Sequence, residues 1–586
     1  VWSLVYDGFD PARQGLREAL CALGNGYFVT RGALPEAAAD EIHYPGTYVA
    51  GLYNRAETEV AGRTVVNEDL VNVPNWLPLR FRVAGGPWFD VEAAEVLEHR
   101  LELDLRQGTL TRVLRWQDQG RRTSVVQRRL VSMKDQHLAG LETTFTAENW
   151  SGTMQVRSGL DGRVLNAGVK RYRDLNGQHL GVLHAGEADA ETLQLQAETN
   201  QSHVRVALAA RTRLLGDGQA VQADRQLVTE PGFVAHELAL ELEEGRPVTV
   251  EKVVALYTSR DRAISESLLD AREAAQAAPG FTELLARHAG EWSILWDRFD
   301  LELDSANQWA ETVLHLHLFH LLQTVSPHTV HLDAGVPARG WHGEAYRGHI
   351  FWDEMFIFPL FNLQRPILAS ALLNYRHARL GIARAAARAA GYQGAMFPWQ
   401  SGSNGREETQ QLHLNPKSGR WLPDHSQLQR HVNIAIAYNV WQHYMVTGST
   451  AFLRFVGGEL LVEIARFWAS VTTYNAEEGR YEILGVMGPD EYHEAYPGAD
   501  RPGLDNNTYT NVMVVWVLQR ALEALEELPP HYRQELAAEL AIGDDELEHW
   551  RDIGRKMKGV FHADGVLTQF EGYEDLLEFD WVGYRE

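Results

Sequence analysis

Cysteine is almost absent from this sequence, since Cys21 is the only one in 586 residues. An intrachain disulfide and a cysteine-based metal site are therefore excluded, and a reducing compartment, the cytoplasm, is the expected location. Apolar runs of membrane-spanning length and a signal peptide are also missing, so we expect no membrane partner. The sequence begins with Val1 and not with Met, so its natural start is expected upstream.

Positive charge is in short supply. The chain has 54 Lys and Arg against 79 Asp and Glu, and its net charge is −25. Such a surface repels polyanions, so we expect no nucleic-acid partner. A small anion such as phosphate is not excluded, because local Arg, Lys and backbone N–H groups can hold it. Gly-rich nucleotide motifs and the GxSxG motif of serine hydrolases are missing as well.

Metal-ligand spacing is also lacking, although the chain contains 24 histidines. In the densest group, HLHLFH at 315–320, only His317 and His320 would share one face of a helix. No glutamate completes an HExxH pattern. We therefore expect core or surface histidines, with no metal and no organic cofactor.

The remaining composition is that of a globular protein with several domains. Hydrophobic residues make up 45% and charged residues 23% of the chain, and the length predicts two to four domains. Tryptophan is abundant, with 17 copies. Because a buried tryptophan needs a partner for its N–H group, so many indicate a large core, and they also suit a cleft in which aromatic rings stack on sugars.

The hydrophobic pattern changes along the chain. Residues 1–260 contain short alternating runs such as LTRVLRWQ, separated by Gly, Asp and Asn, which predict an N-terminal β-sandwich domain. Residues 261–300 are helical in composition with a break at Pro279-Gly280, so we expect a two-helix linker. From 301 to 586 the helical period dominates.

Long loops separate the helices of this last region, and helices alternating with functional loops predict an (α/α)6 barrel as the catalytic domain. Apolar residues at three- and four-residue spacing predict helices over 306–325, 367–390, 428–447, 457–475, 509–527, 533–541 and 544–558. A complete six-hairpin barrel needs more helices than these. We therefore expect an incomplete barrel, truncated at the C-terminal end.

The segment GPDEYHE, residues 488–494, places two carboxylates behind a Gly-Pro break. A carboxylic acid acts as a general acid near neutral pH when burial raises its pKa, and Tyr492 and the Trp-rich loops offer such burial to Glu491. In the alternative interpretation, Asp490 caps a turn or helix and Glu491 is a surface residue. The local pattern alone favours neither.

The segment GEAYRGHIFWDEMFIFP, residues 343–359, sets Trp352 and Asp353 in an apolar, aromatic run. A carboxylate in such surroundings needs a polar partner, and an aromatic face beside a carboxylate suits a sugar ring. We therefore favour a sugar site here over a core segment whose acids reach solvent.

Two further loops carry weaker signals. In residues 391–410, Trp399 and Glu407 again pair an aromatic with an acidic side chain, although an ordinary solvated loop has the same composition. In DNNTYTN, residues 505–511, the amide of Asn506 can bind hydroxyl groups. Capping of the following helix by one of these residues is the simpler interpretation.

Together these segments resemble glycoside hydrolase family 65. The similar stretches are AYRGHIFWDE at 345–354, MGPDEYHE at 487–494 and LDNNTYTN at 504–511. GNGYFVTRG, HYPGTYVAGLYN and NEDLVNVPNWLPL also resemble the family, so the similarity covers nearly the whole chain. Its members include maltose, trehalose and kojibiose phosphorylases and some α-glucoside hydrolases.

The resemblance implies an N-terminal β-sandwich, a helical linker, an (α/α)6 barrel and an inverting mechanism. It makes Glu491 the general acid, which protonates the glycosidic oxygen, and it sets Trp352 and Asp353 against the donor glucose. The other implied substrate-binding residues occupy the same motifs or the loop between them: Trp399, Glu407, Tyr346, Arg347, His349, His493 and Asn506.

The nucleophile that the resemblance implies is inorganic phosphate, or water with a carboxylate base. Phosphate would be a co-substrate and not a cofactor. Family members continue beyond a QFEGY-like segment into a Ser-rich phosphate-binding loop and a small β-domain. The residues that separate phosphorolysis from hydrolysis are therefore expected beyond Glu586. A second departure is FWDEMF, where phosphorylases often have Thr-Glu after the Asp, and it leaves the disaccharide open.

Three functions remain open from the sequence. The leading hypothesis is inverting phosphorolysis of an α-linked glucose disaccharide, of the maltose, trehalose or kojibiose type, to β-glucose 1-phosphate and glucose. An inverting α-glucoside hydrolase of the kojibiose or trehalose type would need a base about 6.5–9.5 Å from the acid. A noncatalytic sugar-binding protein would need no cleft acid. The expected partners are a small disaccharide and phosphate, with a homodimer by analogy with the family.

Overall fold

The computed structural model describes residues 2–60, 62–304 and 307–585. It divides the chain into two compact units, which we call the N-terminal unit (Val1–Leu332 and Arg339–Gly348) and the C-terminal unit (Asp333–Ala338 and His349–Glu586). The first is β-rich and the second is helical, which confirms the predicted order. The borders expected at 260 and 300 stay a prediction. Residues 1, 306 and 586, at which predicted segments begin or end, lie outside the described residues.

Antiparallel strands make up most of the N-terminal unit, with helix α1 (Gln14–Leu20) after the first strand. The strands are β1 (Ser3–Asp7), β2 (Leu23–Gly24), β3 (Phe28–Thr30), β4 (Thr47–Val60), β5 (Arg63–Asn72), β6 (Leu79–Val83), β7 (Glu95–Asp104), β8 (Thr109–Asp118), β9 (Arg121–Val131), β10 (Leu138–Ala147), β11 (Gly152–Asp161), β12 (Leu180–Glu187), β13 (Thr192–Thr199), β14 (Arg205–Gly216), β15 (Gln219–Val221), β16 (Arg225–Glu230), β17 (Phe233–Leu242) and β18 (Pro247–Thr258). Tight turns join several of them. Asp217 and Gly218, between β14 and β15, both have positive φ, as a two-residue type I′ turn requires.

In the described part of the chain these strands pair into layered sheets. The largest has the order β1-β7-β8-β9-β10-β18-β14-β13-β12, with β15 paired to β14. A four-stranded sheet, β16-β17-β11-β6, packs on it, and the hydroxyls of Ser158 and Thr212 meet at 3.0 Å across the layers. Strands β2-β3-β4-β5 form another sheet. Face-to-face packing of antiparallel sheets is the arrangement expected of a β-sandwich.

The predicted linker consists of α2 (Ser267–Ala277) and α3 (Phe281–Phe299), on either side of Pro279-Gly280, so the two-helix prediction is confirmed. Helix α2 begins where the carboxylate of Glu266 accepts two backbone N–H groups, each at 2.9 Å. Ala275 and Phe281 pack with Val253 in a buried cluster on the largest sheet. These helices therefore pack into the core of the N-terminal unit. Helix α4 (Gln308–Thr324) belongs to the same unit.

Helices dominate the C-terminal unit. They are α5 (Glu354–Gln364), α6 (Pro366–Ala378), α7 (Leu380–Ala389), α8 (Val432–Thr447), α9 (Thr450–Phe452), α10 (Gly458–Val471), α11 (Thr508–Glu527), α12 (Pro530–Glu539), α13 (Asp544–Lys556) and α14 (Trp581–Arg585). Short strand pairs lie in the loops: β19 (Leu412–Leu414) with β20 (Trp421–Pro423), and β21 (Thr473–Asn475) with β22 (Arg480–Glu482). None of the helices in the described ranges is long and apolar enough to cross a membrane.

The helices differ from the predicted ones at several places: the short α9 and α14 were not predicted, and the helix predicted over 457–475 ends at Val471, before strand β21. Helix α5 was not predicted, because its sequence EMFIFPLFNLQ is apolar on nearly every side and shows no helical period. The segment predicted as one helix over 367–390 breaks at Arg379, whose guanidinium bonds Asp333 at 2.7 Å. The circular arrangement of an (α/α)6 barrel stays a prediction.

A lysine is buried between two sheets of the N-terminal unit. Lys252 on β18 is fully buried, and its Nζ donates to the carbonyl oxygens of Pro78 (3.1 Å) and Gly159 (2.7 Å). Burial penalises the ammonium form and lowers the pKa of Lys252 to about 7. The ordinary pKa of a lysine in an unfolded chain is about 10.4.

We predict that the free energy of unfolding of the wild type rises relative to that of Lys252→Met between about pH 7 and pH 10. Over this range the folded state has released the proton of Lys252 while the unfolded state still binds it, so the unfolded state binds more protons and stability increases with pH. Urea denaturation at several pH values measures the difference. Lys170→Met, at an exposed lysine, is the control. A difference that does not change with pH would contradict the assigned pKa.

Candidate active site

The turn at 488–494 is organised by Asp490. Its Oδ1 accepts the backbone N–H groups of Tyr492 (3.1 Å) and His493 (3.0 Å), and its Oδ2 lies 2.8 Å from Nδ1 of His493. The side-chain amide of Gln569 also donates to Asp490. A carboxylate that satisfies successive N–H groups closes a tight turn, so the interpretation of Asp490 as a turn cap is confirmed.

Glu491 and Tyr492 project from this turn. Both side chains are exposed, Tyr492 by 93%. Tyr492 therefore does not bury Glu491, contrary to the expectation from the sequence, because Asp490 closes the turn from the inside and leaves the next two residues at its tip. His493 is half-buried, with its ring centroid 5.3 Å from that of Phe570.

Four aromatic rings converge in the C-terminal unit, and we call them the aromatic cluster: Trp352, Trp399, His431 and Tyr509. Their residues lie just before α5, in the loop after α7, just before α8 and in the first turn of α11. The His431 centroid lies 4.6 Å from Trp352, 4.9 Å from Trp399 and 6.0 Å from Tyr509. These are edge-to-face contacts, which aromatic rings favour.

His431 is the centre of the aromatic cluster and is 1% exposed. The polar group that acts on its ring is the backbone of Met487. Burial penalises the charged ring and lowers the pKa of His431 to about 3. The ring is therefore neutral near pH 7 and presents an aromatic surface to both tryptophans. Sequence reasoning missed His431 and Tyr509, although Tyr509 lies within the DNNTYTN motif.

Trp352 and Asp353 are both half-buried and immediately precede α5. The next residue, Glu354, is buried and bonds the guanidinium of Arg376 at 2.9 Å. Arg376 also donates to the carbonyl oxygen of Phe351 at 3.0 Å. One arginine therefore fixes the backbone on both sides of the two predicted site residues.

The loop that carries Trp399 is held by Glu407. The carboxylate accepts the backbone N–H of Trp399 (2.9 Å) and of Gln400 (3.2 Å) and the hydroxyl of Thr409 (2.6 Å). His349, which is fully buried, lies 2.9 Å from the side-chain oxygen of Gln400 through Nδ1. Glu407 and His349 thus position the loop, and their predicted contact with sugar stays a prediction.

Asn506 and Asn507 are buried braces between loops. Asn506 has a left-handed backbone (φ 50°), and its side chain accepts from Ile483 N at 3.3 Å and donates to Glu571 at 2.6 Å. Asn507 caps α11, since its Oδ1 accepts the N–H of Thr510 at 3.1 Å. The capping interpretation is thus confirmed for Asn507. Binding of substrate by Asn506 stays a prediction.

The Glu491 turn is anchored beside the aromatic cluster at two points. The N–H of Met487 donates to the carbonyl oxygen of Leu428 at 3.1 Å, shortly before His431. Gly488 abuts Asn507, and a Cβ at Gly488 would lie 2.3 Å from the amide nitrogen of Asn507. Leu428 is close in sequence to His431, and Asn507 is close in sequence to Tyr509. The structure therefore brings the GPDEYHE and DNNTYTN motifs together with these two rings of the cluster.

Tyr346 and Arg347 belong to the N-terminal unit and both have left-handed backbones, with φ of 51° and 57°. Arg347 is buried, with its Nε 3.6 Å from Oδ1 of Asp69 and its guanidinium 5.0 Å from the ring of Tyr172. Tyr346 is 42% exposed under the guanidinium of Arg339. Two successive strained residues indicate a chain path that the surrounding contacts impose.

Within the described ranges, no three or more His, Cys, Asp or Glu side chains are grouped so that they could hold a metal ion. Arg430 lies next to His431 and is half-buried; burial lowers its pKa and the nearby Glu407 opposes that effect. It supplies a positive charge beside the aromatic cluster.

Two family models match the chain. The glycosyl hydrolase family 65 N-terminal domain matches residues 4–295, and the glycosyl hydrolase family 65 central catalytic domain matches residues 315–586. A solved structure from the human microbiome, provisionally named a kojibiose phosphorylase, is similar with a TM-score of 0.83 at 22% identity. The similarity covers 99% of this chain and 73% of that one. At this identity the likeness shows the fold alone.

Curated relatives match over almost the whole chain. An uncharacterized glycosyl hydrolase of Mycobacterium tuberculosis is 50% identical, over 100% of this chain and 44% of the relative. Trehalose 6-phosphate phosphorylase of Lactococcus lactis is 32% identical, over 100% of this chain and 72% of the relative. Kojibiose phosphorylase of Halothermothrix orenii is 32% identical, over 97% of this chain and 71% of the relative. The chain thus spans less than half the length of the first of these relatives.

We predict that Asn507→Ala destabilises the C-terminal unit by about 1 kcal/mol, because the cap of α11 is lost. Asn507→Asp keeps an oxygen that accepts the N–H of Thr510 and is expected to lose less. Chemical denaturation of both variants measures the two changes in the free energy of unfolding. Equal losses in the two variants would contradict the capping role.

Proposed function

The chain belongs to glycosyl hydrolase family 65, and from this premise we propose that it catalyses inverting phosphorolysis of an α-linked glucose disaccharide. Inorganic phosphate is the co-substrate, and the products are β-glucose 1-phosphate and glucose. The names of two relatives, trehalose 6-phosphate phosphorylase and kojibiose phosphorylase, support this class of reaction. Because the two names give different substrates, the disaccharide that this chain cleaves has to be identified by experiment.

The observation that carries this proposal is the anchoring of the Glu491 turn beside the aromatic cluster. Met487 bonds the segment that leads to His431, and Gly488 abuts the cap of the helix that carries Tyr509. A carboxylic acid near the half-buried Trp352 suits a glycoside, because the indole ring stacks on C–H groups while the acid reaches the oxygen between two sugars.

In the proposed reaction, Glu491 donates a proton to the glycosidic oxygen while the bond from that oxygen to C1 breaks. An oxygen of phosphate attacks C1 from the opposite face, which inverts the anomeric configuration. Trp352, which is half-buried, stacks on the glucose ring with the buried Trp399 behind it, and Asp353 accepts hydroxyl groups of the sugar.

The helices of the C-terminal unit support the proposed (α/α)6 barrel through their packing. Helix α5 packs on α6 and α8, α10 packs on α8 and α11, and α11 packs on α13. A barrel of α-hairpins requires contacts between consecutive helices and also between helices further apart in the chain, and both kinds are present here. In this proposal the loops that follow the helices carry the site.

A hydrolase is the second candidate function. A relative with 50% identity is named an uncharacterized glycosyl hydrolase, so hydrolysis, with water as the nucleophile, is the alternative reaction. Hydrolysis with inversion needs a second carboxylate as the base, whereas phosphate needs none, because it is itself an anionic nucleophile. Dependence on phosphate therefore separates the two reactions.

We predict that Glu491→Gln lowers turnover at least about 100-fold, because an amide cannot protonate the leaving oxygen. Glucose release by the full-length gene product measures the change. Glu494→Gln, at an exposed glutamate in the same turn, is the matched control and is expected to keep normal turnover. An unchanged rate for Glu491→Gln would remove Glu491 from the acid role.

We predict that glucose 1-phosphate forms only when phosphate is present. The full-length gene product is incubated with maltose, trehalose and kojibiose separately, with and without phosphate, and glucose and glucose 1-phosphate are assayed. Phosphate-dependent glucose 1-phosphate identifies a phosphorylase and its disaccharide. Glucose that forms at the same rate without phosphate would favour the hydrolase.

A further inference from the structure

A large cavity lies on the N-terminal unit, built only from residues of that unit and outside the aromatic cluster. Its volume is about 820 Å³. The four-stranded sheet contributes Arg80 on β6 and Arg157 on β11, and the walls include residues from the loops 34–45 and 89–92. Pockets of about 300–1,000 Å³ are the usual size for small-molecule sites in proteins.

Several lining groups have hydrogen-bonding capacity that the described residues do not use. Arg80 makes no hydrogen bond or ion pair there, and the side-chain N–H groups of Asn75 have no protein acceptor. Glu36 is 8% exposed; its Oε1 accepts from Arg112 at 2.7 Å, but its Oε2 has no partner. Because this oxygen is inaccessible to solvent, Glu36 contributes negative charge beneath the wall, and the N–H groups of Arg80 and Asn75 are the groups left for a ligand.

Arg80 is an exposed residue that makes no close ion pair, although the carboxylates of Asp90 and Glu36 lie near enough to act on its charge. It stands directly opposite Arg157 in the sheet, a pairing of like charges that costs free energy. Arg157 is neutralised by Glu237 at 2.7 Å. The ring of Trp88 lies 5.5 Å from the Arg80 guanidinium and 4.7 Å from that of Arg157, so cation–π contacts fix both. The ring of Trp88 therefore orients the guanidinium of Arg80, and its N–H groups face solvent at the wall of the cavity.

The charges of the lining decide the class of ligand. Acidic side chains outnumber the arginines Arg80, Arg157 and Arg163, which disfavours an anion. The acids are Glu36, Asp40, Asp90, Glu92, Asp161 and Glu230. Arg163 is neutralised by Asp161 and Glu230. Donors and acceptors side by side, between apolar walls that include Phe89 and Val91, match hydroxyl groups, which both donate and accept.

We infer that this cavity is a second carbohydrate site, which binds a neutral oligosaccharide independently of the reaction at Glu491. Such a site would keep a glucan on the protein between catalytic events. It follows from the cavity of the N-terminal unit alone, so it holds whether the C-terminal unit is a phosphorylase or a hydrolase.

Hydrogen–deuterium exchange of the full-length gene product with maltotriose locates the binding directly. We expect slower exchange in peptides that contain residues 34–45 and 89–92. Ala38→Trp fills the cavity from an exposed loop position and should abolish this protection, and Arg80→Ala should raise the maltotriose concentration needed about tenfold or more. Turnover of disaccharide should be unchanged in both variants.

Matched controls are Ala220→Trp and Arg63→Ala, at exposed positions of the same unit outside the cavity, and both should behave as the wild type. The inference is overturned if maltotriose protects neither loop in the wild type, or if Ala38→Trp is protected to the same extent. Protection by glucose 6-phosphate but not by maltotriose would overturn the neutral class of ligand. Loss of turnover in Glu491→Gln with intact loop protection would separate this site from the catalytic one.

Discussion

Side-chain oxygens that accept backbone N–H groups hold the loops of the C-terminal unit in place. A loop has no neighbouring strand or helical turn to satisfy its N–H groups, so each buried one needs another acceptor. Asp490 supplies the acceptor oxygen for the turn of Glu491, Glu407 supplies it for the loop of Trp399, and Asn507 supplies it for the start of α11. Placement of the proposed chemical groups therefore depends on neighbours that need not touch the substrate.

Much of the fold could be predicted from the sequence where its determinants are local. Alternation and turn residues marked the strands, and the break at Pro279-Gly280 separated α2 from α3. The end of α6 at Arg379 could not be predicted, because its partner Asp333 lies far away in sequence. Helix α5 was missed for another reason: its exposed side carries apolar residues such as Phe356 and Leu363, so the sequence has no polar face that would reveal the helical period.

The tryptophans of the candidate site could be predicted from the sequence, but the residues that hold them in place could not. Trp352 and Trp399 were expected together and are neighbours, with ring centroids 6.2 Å apart. His431 had no motif to mark it, because a neutral buried ring acts through shape alone. Glu407 has the same sequence signature whether its carboxylate points to a sugar or to its own loop. Only the three-dimensional arrangement shows that it accepts the N–H of Trp399.

The contact between Gly488 and Asn507 also limits how this protein can evolve. A side chain gained at position 488 would collide with the amide of Asn507, and a smaller residue at 507 would lose the helix cap. Either first step carries a penalty, and only a paired change could avoid both. The GPDEYHE and DNNTYTN motifs, although separate in sequence, are therefore expected to be inherited as one unit and to covary across homologues.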